Sequence, residues 1–213
     1  MYRLRVTLEG FKPPIWRQLL ISPDASFYDL HSLIQDAFEW EDDHLHSFRA
    51  QRNKGKKRIY IQDEELNEDY RPAFEFANMP EAMQLVQDEF FNEETTKLSE
   101  FLNEEFPSLK YDYDFGDNWS HIIKLERLVT RDSVKPVILD GERSAPPEDS
   151  RAWVDGAEDI LQASQNKQSD YWRRLVEDWG EETAEDFAEM SKIFLEPVDL
   201  GHIKITKSSR KRR

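Results

Sequence analysis

The first forty residues predict a β-hairpin followed by an amphipathic helix. Residues 2–9 switch between apolar and polar side chains at nearly every step, which is typical of a strand with one buried face. A turn separates this strand from a second predicted strand at residues 15–21. Ser26 and Asp29 have the spacing of a capping box, so the helix should begin there and end near Trp40. The positions expected to face the core are Tyr2, Leu4, Val6, Leu8, Phe27, Leu30, Leu33, Ile34, Ala37 and Phe38.

Shorter patterns predict the remaining elements. Strands are expected at 44–50, at 58–62 and around 134–140, and a hairpin at 108–129. Residues 63–95 are acidic and irregular, with a short helix as one interpretation of 81–91. Helices are expected at 96–105, 153–164, 169–179 and 183–195, the last with a capping-box pattern at Thr183 and Asp186.

This order of elements predicts an α+β fold: a β-grasp-like mixed sheet with a packed helix, plus a C-terminal helical extension. The core should span residues 1–143. Residues 144–200 should hold a rigid Pro-Pro-Glu-Asp loop and the C-terminal helices packed on the core. Residues 201–213 should form a basic, disordered tail, and deleting it from Ser208 onward should leave the melting temperature almost unchanged.

Composition narrows the functional classes. The chain of 213 residues has no cysteine, so it offers neither disulfides nor thiolate chemistry. No apolar run reaches transmembrane length and the first residues already have a strand pattern, which favours a cytoplasmic location. Residues 204–213 contribute six positive charges and no negative charge to a net charge of −15, so the remainder carries −21. A body this acidic disfavours broad contact with nucleic-acid phosphates.

Two basic islands are the exceptions to this acidity. We interpret both as solvated segments, with nucleic-acid contact as the alternative. The tail from Lys204 is one island, and the other consists of Arg49, Arg52, Lys54, Lys56, Lys57 and Arg58.

The most informative segment is Tyr111-Asp-Tyr-Asp-Phe-Gly-Asp-Asn-Trp-Ser-His121. Its alternation predicts a strand with Tyr111, Tyr113 and Phe115 on one face, and Gly-Asp-Asn predicts a hairpin turn. If residues 117 and 118 form the loop, Asp114 faces His121; if residues 116 and 117 form it, Asp112 does. In both registers we expect a carboxylate to raise the pKa of His121 or to orient its ring.

Four motifs occur in a characteristic order. The first, residues 2–17, reads YxLxVxLxGxxPPIWR. The others are Asp29-Leu-His31 with Trp40 and His44-Leu-His46-Ser-Phe48, then Tyr113-Asp-Phe-Gly-Asp-Asn-Trp119-Ser-His121, then Gly141-Glu-Arg-Ser-Ala-Pro-Pro-Glu-Asp149. Over about residues 1–195 the chain thereby resembles the plasmid pRiA4b ORF-3-like family.

The resemblance implies an α+β fold related to β-grasp, and some family members are carried on plasmids or insertion elements. It implies no established catalytic activity. A resolvase label given to part of the family finds no support in this chain, which lacks an arginine-rich serine site and a basic DNA-binding domain. The chain also departs from the family pattern, because Ser150-Arg-Ala-Trp153 stands where Cys-Gly-Gly usually follows Pro-Pro-Glu-Asp.

His44 and His46 are candidate metal ligands. On a predicted strand their imidazoles should share one face, about 7 Å apart at the Cα atoms. His121 with Asp114 or Asp117 would complete a facial His/carboxylate set. The alternative is that these histidines only hydrogen-bond to acids. No cofactor other than this optional divalent metal is predicted. One functional cluster is expected to hold Arg17, His44, His46, Asp114, Asp117, His121, Glu148 and Asp149.

Other candidates have structural interpretations. Arg17 is expected to form an Arg–carboxylate pair, or to lie against the acidic hairpin. His31 should be a half-buried, hydrogen-bonded imidazole rather than a ligand. The aromatic residues of the hairpin resemble a base-stacking platform but lack interleaved Lys and Arg, so core packing is the preferred interpretation.

Three functional hypotheses follow. The first is a non-catalytic cytoplasmic interaction domain with a protein partner. The second is a metal-dependent hydrolase, with nucleic acid as one substrate class. The third is a nucleic-acid accessory protein that uses the basic loop and tail. Phosphate-binding glycine loops and acyl-transfer motifs are missing from the sequence, so nucleotide-dependent and acyl-transfer enzymes have no support.

Overall fold

The computed structural model describes residues 1–51, 58–64, 66, 89–154 and 156–206. Its strands are β1 (Tyr2–Leu8), β2 (Ile15–Ile21), β3 (His46–Gln51), β4 (Arg58–Gln62), β5 (Glu89–Asn92), β6 (Ser108–Tyr113), β7 (Trp119–Leu128) and β8 (Val137–Glu142). Its helices are α1 (Phe27–Phe38), α2 (Leu98–Phe101), α3 (Arg151–Val154), α4 (Ala157–Ser164), α5 (Asp170–Trp179) and α6 (Glu181–Leu195).

Within these ranges, eight strands form one sheet in the order β5-β4-β3-β6-β7-β1-β2-β8. Neighbouring strands are antiparallel except for β4 and β5, which are parallel. This mixed sheet with separate helices confirms the α+β class. The β-grasp-like detail and the domain boundaries stay predictions.

The two faces of the sheet differ in polarity. On the inner face Leu4 and Val6 of β1 are fully buried, and Phe27 of α1 packs edge-on against Phe48 of β3 with ring centroids 5.0 Å apart. The outer face is polar, as expected for an antiparallel sheet with one solvated side. Its strands are joined by the ion pairs Arg3–Glu126 (3.0 Å), Arg49–Asp112 (3.2 Å) and Lys110–Glu9 (2.8 Å).

Helix α1 begins and ends as its sequence dictates. The Ser26 hydroxyl accepts a hydrogen bond from the Asp29 amide (3.1 Å), and the Asp29 carboxylate accepts one from the Ser26 amide (2.9 Å), which confirms the capping box. Glu39 takes a left-handed conformation (φ 59°) and ends the helix. Trp40 then turns into the core, where its indole Nε1 donates to the carbonyl of Pro146 (2.8 Å).

The C-terminal helices α4 to α6 share the buried core. Trp172, Ala184 and Phe194 are almost fully buried and belong to the same apolar cluster as the sheet. Phe194 packs edge-on against Phe11 in the β1–β2 turn, with ring centroids 5.7 Å apart. In the described ranges no helix is long and apolar enough to cross a membrane.

Several boundaries differ from the sequence prediction. Strand β3 begins at His46 rather than at residue 44, and residues 89–92 form strand β5 where a helix was one interpretation. Helix α6 begins at Glu181, with Gly180 rather than Thr183 at its N-cap. The segment 202–206 contacts α1, since Thr206 donates to Asp36 from its amide and its hydroxyl, both at 2.8 Å. The basic residues 52–57, residues 67–88 and the tail 207–213 lie outside the described residues.

Candidate functional site

The β6–β7 hairpin has neither of the two predicted registers. Tyr113 pairs with Trp119 and Tyr111 pairs with His121, so residues 114–118 form a five-residue loop. Asp112 pairs with Ser120 and faces the outer side of the sheet. Both expectations of an Asp directly opposite His121 are therefore wrong. The sequence contained a signal for this burial that was missed. Trp119, His121 and Ile123 are alternate residues of one strand and share its buried face.

The hairpin loop closes on Asp114. Both Asp114 (φ 53°) and Asn118 (φ 56°) take left-handed conformations, which Asp and Asn tolerate better than most residues. The carbonyl of Asp114 accepts from the Asn118 amide (2.6 Å), and its carboxylate Oδ1 accepts from the Gly116 amide (2.9 Å). The Asp114 amide donates to the carbonyl of Leu45 (2.9 Å), which ties the loop to the segment before β3.

His44, Asp114 and Asp149 meet at this hairpin tip. Nδ1 of His44 lies 3.9 Å from Oδ1 of Asp114, and Nε2 of His44 lies 3.3 Å from Oδ1 of Asp149. The ring of His44 packs edge-on against Tyr113, with centroids 5.8 Å apart. One ligand atom from each of the three residues lies within 4.8 Å of the others. Three residues of the predicted cluster are thus brought together, from three different motifs.

Glu148 joins the tip through Tyr113. The Tyr113 hydroxyl donates to Oε1 of Glu148 (2.5 Å), and the same carboxylate oxygen accepts from the Glu41 amide (3.1 Å). Burial and the neighbouring Glu148 charge raise the pKa of Tyr113 well above its ordinary value. Trp40 stacks on Tyr113, with ring centroids 5.2 Å apart. The Pro-Pro-Glu-Asp loop is therefore tied to the hairpin by the hydrogen bond from Tyr113, a buried residue that stacks on Trp40.

Asp117 connects the tip to helix α3. Its carboxylate accepts a hydrogen bond from the Arg151 amide (3.1 Å). The Arg151 guanidinium lies over the ring of Trp119, 5.1 Å from its centroid. The Arg151 side chain therefore packs against a fully buried aromatic residue of the core.

His46 lies in a second, interior cluster rather than beside His44. Because β3 begins at His46, His44 precedes the strand and the two imidazoles do not share a strand face, contrary to the prediction. The ring of His46 stacks on His31 with centroids 3.5 Å apart and planes 2° from parallel. Its Nε2 is 2.7 Å from Glu93, a carboxylate that is 1% exposed.

A hydrogen-bond relay fixes His31 in its neutral form. The Gln35 amide donates to the Tyr111 hydroxyl (3.0 Å), which donates to Nδ1 of His31 (2.8 Å), and Nε2 of His31 donates to Asp42 (2.7 Å). Burial, and next the neighbouring His46, lowers the pKa of His31 to about 4. His31 is fully buried rather than half-buried, and hydrogen-bonded as predicted.

Parallel stacking makes the interior cluster a poor metal site. His31, Asp42 and His46 also have ligand atoms within 4.8 Å of one another. The lone pair of an imidazole nitrogen lies in the plane of its ring, so two parallel rings direct their lone pairs within two parallel planes, and an ion cannot lie in both planes. Each Nε2 also has its own carboxylate at 2.7 Å. We therefore interpret the interior pair as structural.

His121 belongs to the core. It is 0% exposed, its Nδ1 donates to the carbonyl of Trp119 (3.2 Å), and no described residue hydrogen-bonds to its Nε2. Burial lowers the pKa of His121 to about 3. The predicted rise in pKa is therefore wrong, because the cross-strand neighbour is Tyr111 and desolvation dominates. His121 is in neither of the two His/carboxylate groups.

Arg17 is also buried, and it contacts carbonyl oxygens instead of carboxylates. Nε donates to Ala37 in the last turn of α1 (2.8 Å), and Nη1 donates to Trp16 and Arg143, both at 2.9 Å. Among the described residues, Arg17 forms neither of the predicted arrangements, a carboxylate pair or contact with the acidic hairpin. Burial lowers the pKa of Arg17 to about 10, so it remains a cation and complements the negative end of the α1 dipole.

Two interior residues were missed from the sequence. Asp42 follows the helix that carries its partner His31, but no spacing in the sequence assigns it to that imidazole. Glu93 lies in the acidic stretch that has no readable periodicity, so no local signal distinguishes it from its neighbours. In the predicted basic island, Arg49 is engaged with Asp112 on the outer sheet face (3.2 Å).

Comparison with known proteins decides the family. A sequence model of plasmid pRiA4b ORF-3-like proteins matches residues 1–192. The chain belongs to the plasmid pRiA4b ORF-3-like family. The uncharacterized protein y4hQ of Sinorhizobium fredii (strain NBRC 101917 / NGR234) is 30% identical over 148 residues, which are 69% of this chain and 64% of that protein. The chain thus spans less than two thirds of the length of this relative.

A solved structure is also similar to this pRiA4b ORF-3-like chain. The crystal structure of a protein of unknown function, MM3350 from Methanosarcina mazei Go1, has a TM-score of 0.60 at 29% identity. The similarity covers 82% of this chain and 86% of that one. Both relatives are described as uncharacterized or of unknown function, so the family supplies the fold but no activity.

Proposed function

We propose that this protein is a non-catalytic interaction domain that binds a basic, partly apolar segment of a protein partner at the hairpin tip. The observation that carries the proposal is a pair of exposed apolar side chains beside carboxylates. Leu45 is 57% exposed and Phe115 is 46% exposed. The Leu45 carbonyl accepts a hydrogen bond from the Asp114 amide, and Phe115 is the next residue in the chain after Asp114. Exposed apolar groups rimmed by charge are typical of protein interaction sites.

The electrostatics of the tip favour a cationic partner. Asp114 and Asp149 have no Lys or Arg at ion-pair distance in the described part of the chain, whereas the outer-face carboxylates Glu126 and Asp112 each have an arginine. Glu148 and Asp117 add further negative charge at the same end. Such a surface attracts cationic segments and repels nucleic-acid phosphates.

The ordered structure of the tip also favours binding of a partner. The loop is held by the Asp114 hydrogen bonds, by Asp117 to helix α3, and by Glu148 to Tyr113. A pre-ordered surface loses little conformational entropy when a partner binds. Some members of the family are carried on plasmids or insertion elements. We therefore extend the proposal to a cytoplasmic partner that binds nucleic acid, because such proteins carry basic segments.

A peptide titration tests the proposal. The probe is a fluorescent eight-residue peptide of alternating Arg and Leu, with an otherwise identical Glu/Leu peptide as its control. Fluorescence anisotropy in EDTA-containing buffer should show binding of the Arg peptide only, and the double variant Leu45→Ser/Phe115→Ser should bind it about tenfold more weakly, a loss of about 1.4 kcal/mol.

The control variant for this titration is Leu128→Ser/Val134→Ser. These two residues are more exposed, at 71% and 73%, but lie away from the tip, so the variant should bind like the parent chain. Equal weakening by both double variants would show general adhesion to an acidic protein. Tighter binding of a DNA oligonucleotide than of the Arg peptide would favour the nucleic-acid hypothesis instead.

A further inference from the structure

The tip also contains a set of side chains suited to a metal ion. We propose that His44, Asp114 and Asp149 bind one divalent transition-metal ion, with Zn²⁺ as the best fit. This inference goes beyond the proposed function and does not rest on it, because cation binding requires only the chain itself.

The donor types select the class of ion. One imidazole and two carboxylates form a mixed nitrogen/oxygen set, which suits Zn²⁺ and its transition-metal neighbours. Ca²⁺ and Mg²⁺ prefer oxygen ligands alone and are disfavoured by the imidazole of His44. Three protein ligands leave at least one position open, to which water or a donor group from a partner can bind.

The distances are close to those of a coordination shell. Metal–ligand bonds of about 2.0–2.2 Å in tetrahedral geometry hold the ligand atoms roughly 3.5 Å apart. His44 Nε2 already lies 3.3 Å from Asp149 Oδ1, and the donor atoms of all three residues lie within 4.8 Å. The Asp149 side chain is 76% exposed and the His44 side chain 28%, so both are free to make the remaining adjustment.

Asp114 supplies an independent reason to expect a cation. It is 8% exposed, and its only recorded side-chain hydrogen bond among the described residues is the one from the Gly116 amide to Oδ1. Oδ2 of this carboxylate has no described protein donor. A carboxylate that has lost most of its contact with water is less well solvated than an exposed one, and a metal ion would offset that loss.

The interior pair shows why the tip is the better site. His31 and His46 have their Nε2 atoms on Asp42 and Glu93 at 2.7 Å, and their rings are parallel. His44 has Asp149 3.3 Å from Nε2 and Asp114 3.9 Å from Nδ1, so neither ring nitrogen has a carboxylate as close as those of the interior pair. An ion bound at Nε2 would have Asp149 beside it and would need the Asp114 carboxylate to move closer. A metal ion can replace the proton on His44 without disrupting a buried relay.

The experiment is a calorimetric titration of the EDTA-treated, dialysed full chain with Zn²⁺. We expect one ion per chain, and binding at least tenfold weaker in His44→Ala and in Asp114→Asn. Asn tolerates the left-handed backbone at residue 114 as Asp does, so this variant removes charge while keeping the loop. Substituting Co²⁺ should give a visible absorption spectrum that is lost in the same variants.

The matched control is His202→Ala. His202 is an exposed histidine with Glu39 at 2.7 Å and Asp199 at 3.6 Å, so it resembles the tip in composition but not in burial. It should leave Zn²⁺ binding unchanged. The proposal is overturned if Zn²⁺ shows no saturable binding to the parent chain. It is also overturned if His44→Ala and Asp114→Asn bind Zn²⁺ like the parent while His202→Ala or His46→Gln binds it more weakly. Arg-peptide binding in EDTA would persist in that case, so the two proposals fail separately.

Discussion

The histidines of this protein lie in two contrasting environments. His31 belongs to α1 and His121 to β7, and both side chains are buried in the core. Burial lowers their pKa values to about 4 and about 3. His44 lies at the hairpin tip, half-buried, beside two carboxylates that no described cation neutralises. The same residue type is a neutral packing element in one place and an available ligand in the other. A cluster of polar residues therefore does not by itself indicate a functional site. What indicates one is whether the polar atoms are already engaged in hydrogen bonds within the fold.

Replacing the buried Arg17 should have the largest effect on stability. Arg17→Met removes the donors that satisfy carbonyl groups at the end of α1 and at Arg143. Leaving buried carbonyls unpaired should lower the free energy of unfolding by about 3–5 kcal/mol, measured by urea denaturation. The control Arg3→Met, which breaks a partly exposed pair with Glu126, should cost less than about 1 kcal/mol. A loss of similar size in both variants would contradict the special role of Arg17.

Acid should destabilise the interior through its two buried histidines. The pKa values of His31 and His121 are lowered on folding, so the unfolded chain binds more protons below pH 6.5 and stability falls as the pH drops. Between pH 7 and pH 5 each histidine should remove about 2 kcal/mol from the free energy of unfolding. His121→Leu should roughly halve this loss. A free energy of unfolding that is flat over this range would rule out two neutral buried imidazoles.

Gly141 gives a smaller and more local test of the interior. A Cβ atom at this position would lie 2.8 Å from Cδ of Arg17 and 3.0 Å from the carbonyl oxygen of Trp16. Gly141→Ala should therefore cost about 1–3 kcal/mol through overpacking. Gly201→Ala is the control, because its nearest neighbour is the mobile carboxylate of Asp199 at 3.1 Å. Equal stability changes in the two variants would show that Arg17 can move aside.

The tip should be almost neutral for folding. Asp149→Asn removes one charge from an exposed side chain without changing the backbone preference, so the free energy of unfolding should change by no more than about 0.5 kcal/mol. The same urea measurement checks this value. A loss above about 1.5 kcal/mol would mean that Asp149 stabilises the fold and that the contrast between tip and interior is not valid.

The sequence predicted the elements with strong periodicity and missed those fixed by tertiary contacts. Strand β1, the Ser26 capping box and the burial of Tyr111 and Trp119 follow from local pattern. The hairpin register failed because two-residue turns were assumed, whereas a five-residue loop closes on the left-handed Asp114. Strand β5 was missed because its four residues have no distinct local pattern and are held by tertiary contacts, namely pairing with β4 and packing of Phe91 on Phe101.

The sequence predicted only part of the candidate cluster, because local pattern does not show which side chains tertiary contacts bury. His44, Asp114 and Asp149 lie outside the strands, where no alternation of buried and exposed positions assigns a side chain to the core and motifs are the readable signal. Residues that occupy inward positions of strands are buried whatever their chemistry, as Arg17, His46 and His121 are here. Treating every polar residue on an apolar strand face as a core residue first would have separated the two groups.

Side-chain ¹⁵N NMR of the five histidines, with and without Zn²⁺, tests the central contrast most directly. The imidazole nitrogens of His31 and His121 should show the neutral form down to pH 5 and should not change when Zn²⁺ is added. The signals of His44 should shift with one equivalent of Zn²⁺ and return on addition of EDTA. Titration of His121 near pH 6.5, or Zn²⁺-dependent shifts of His31 and His46 in place of His44, would contradict the assignment of the interior to structure and the tip to function.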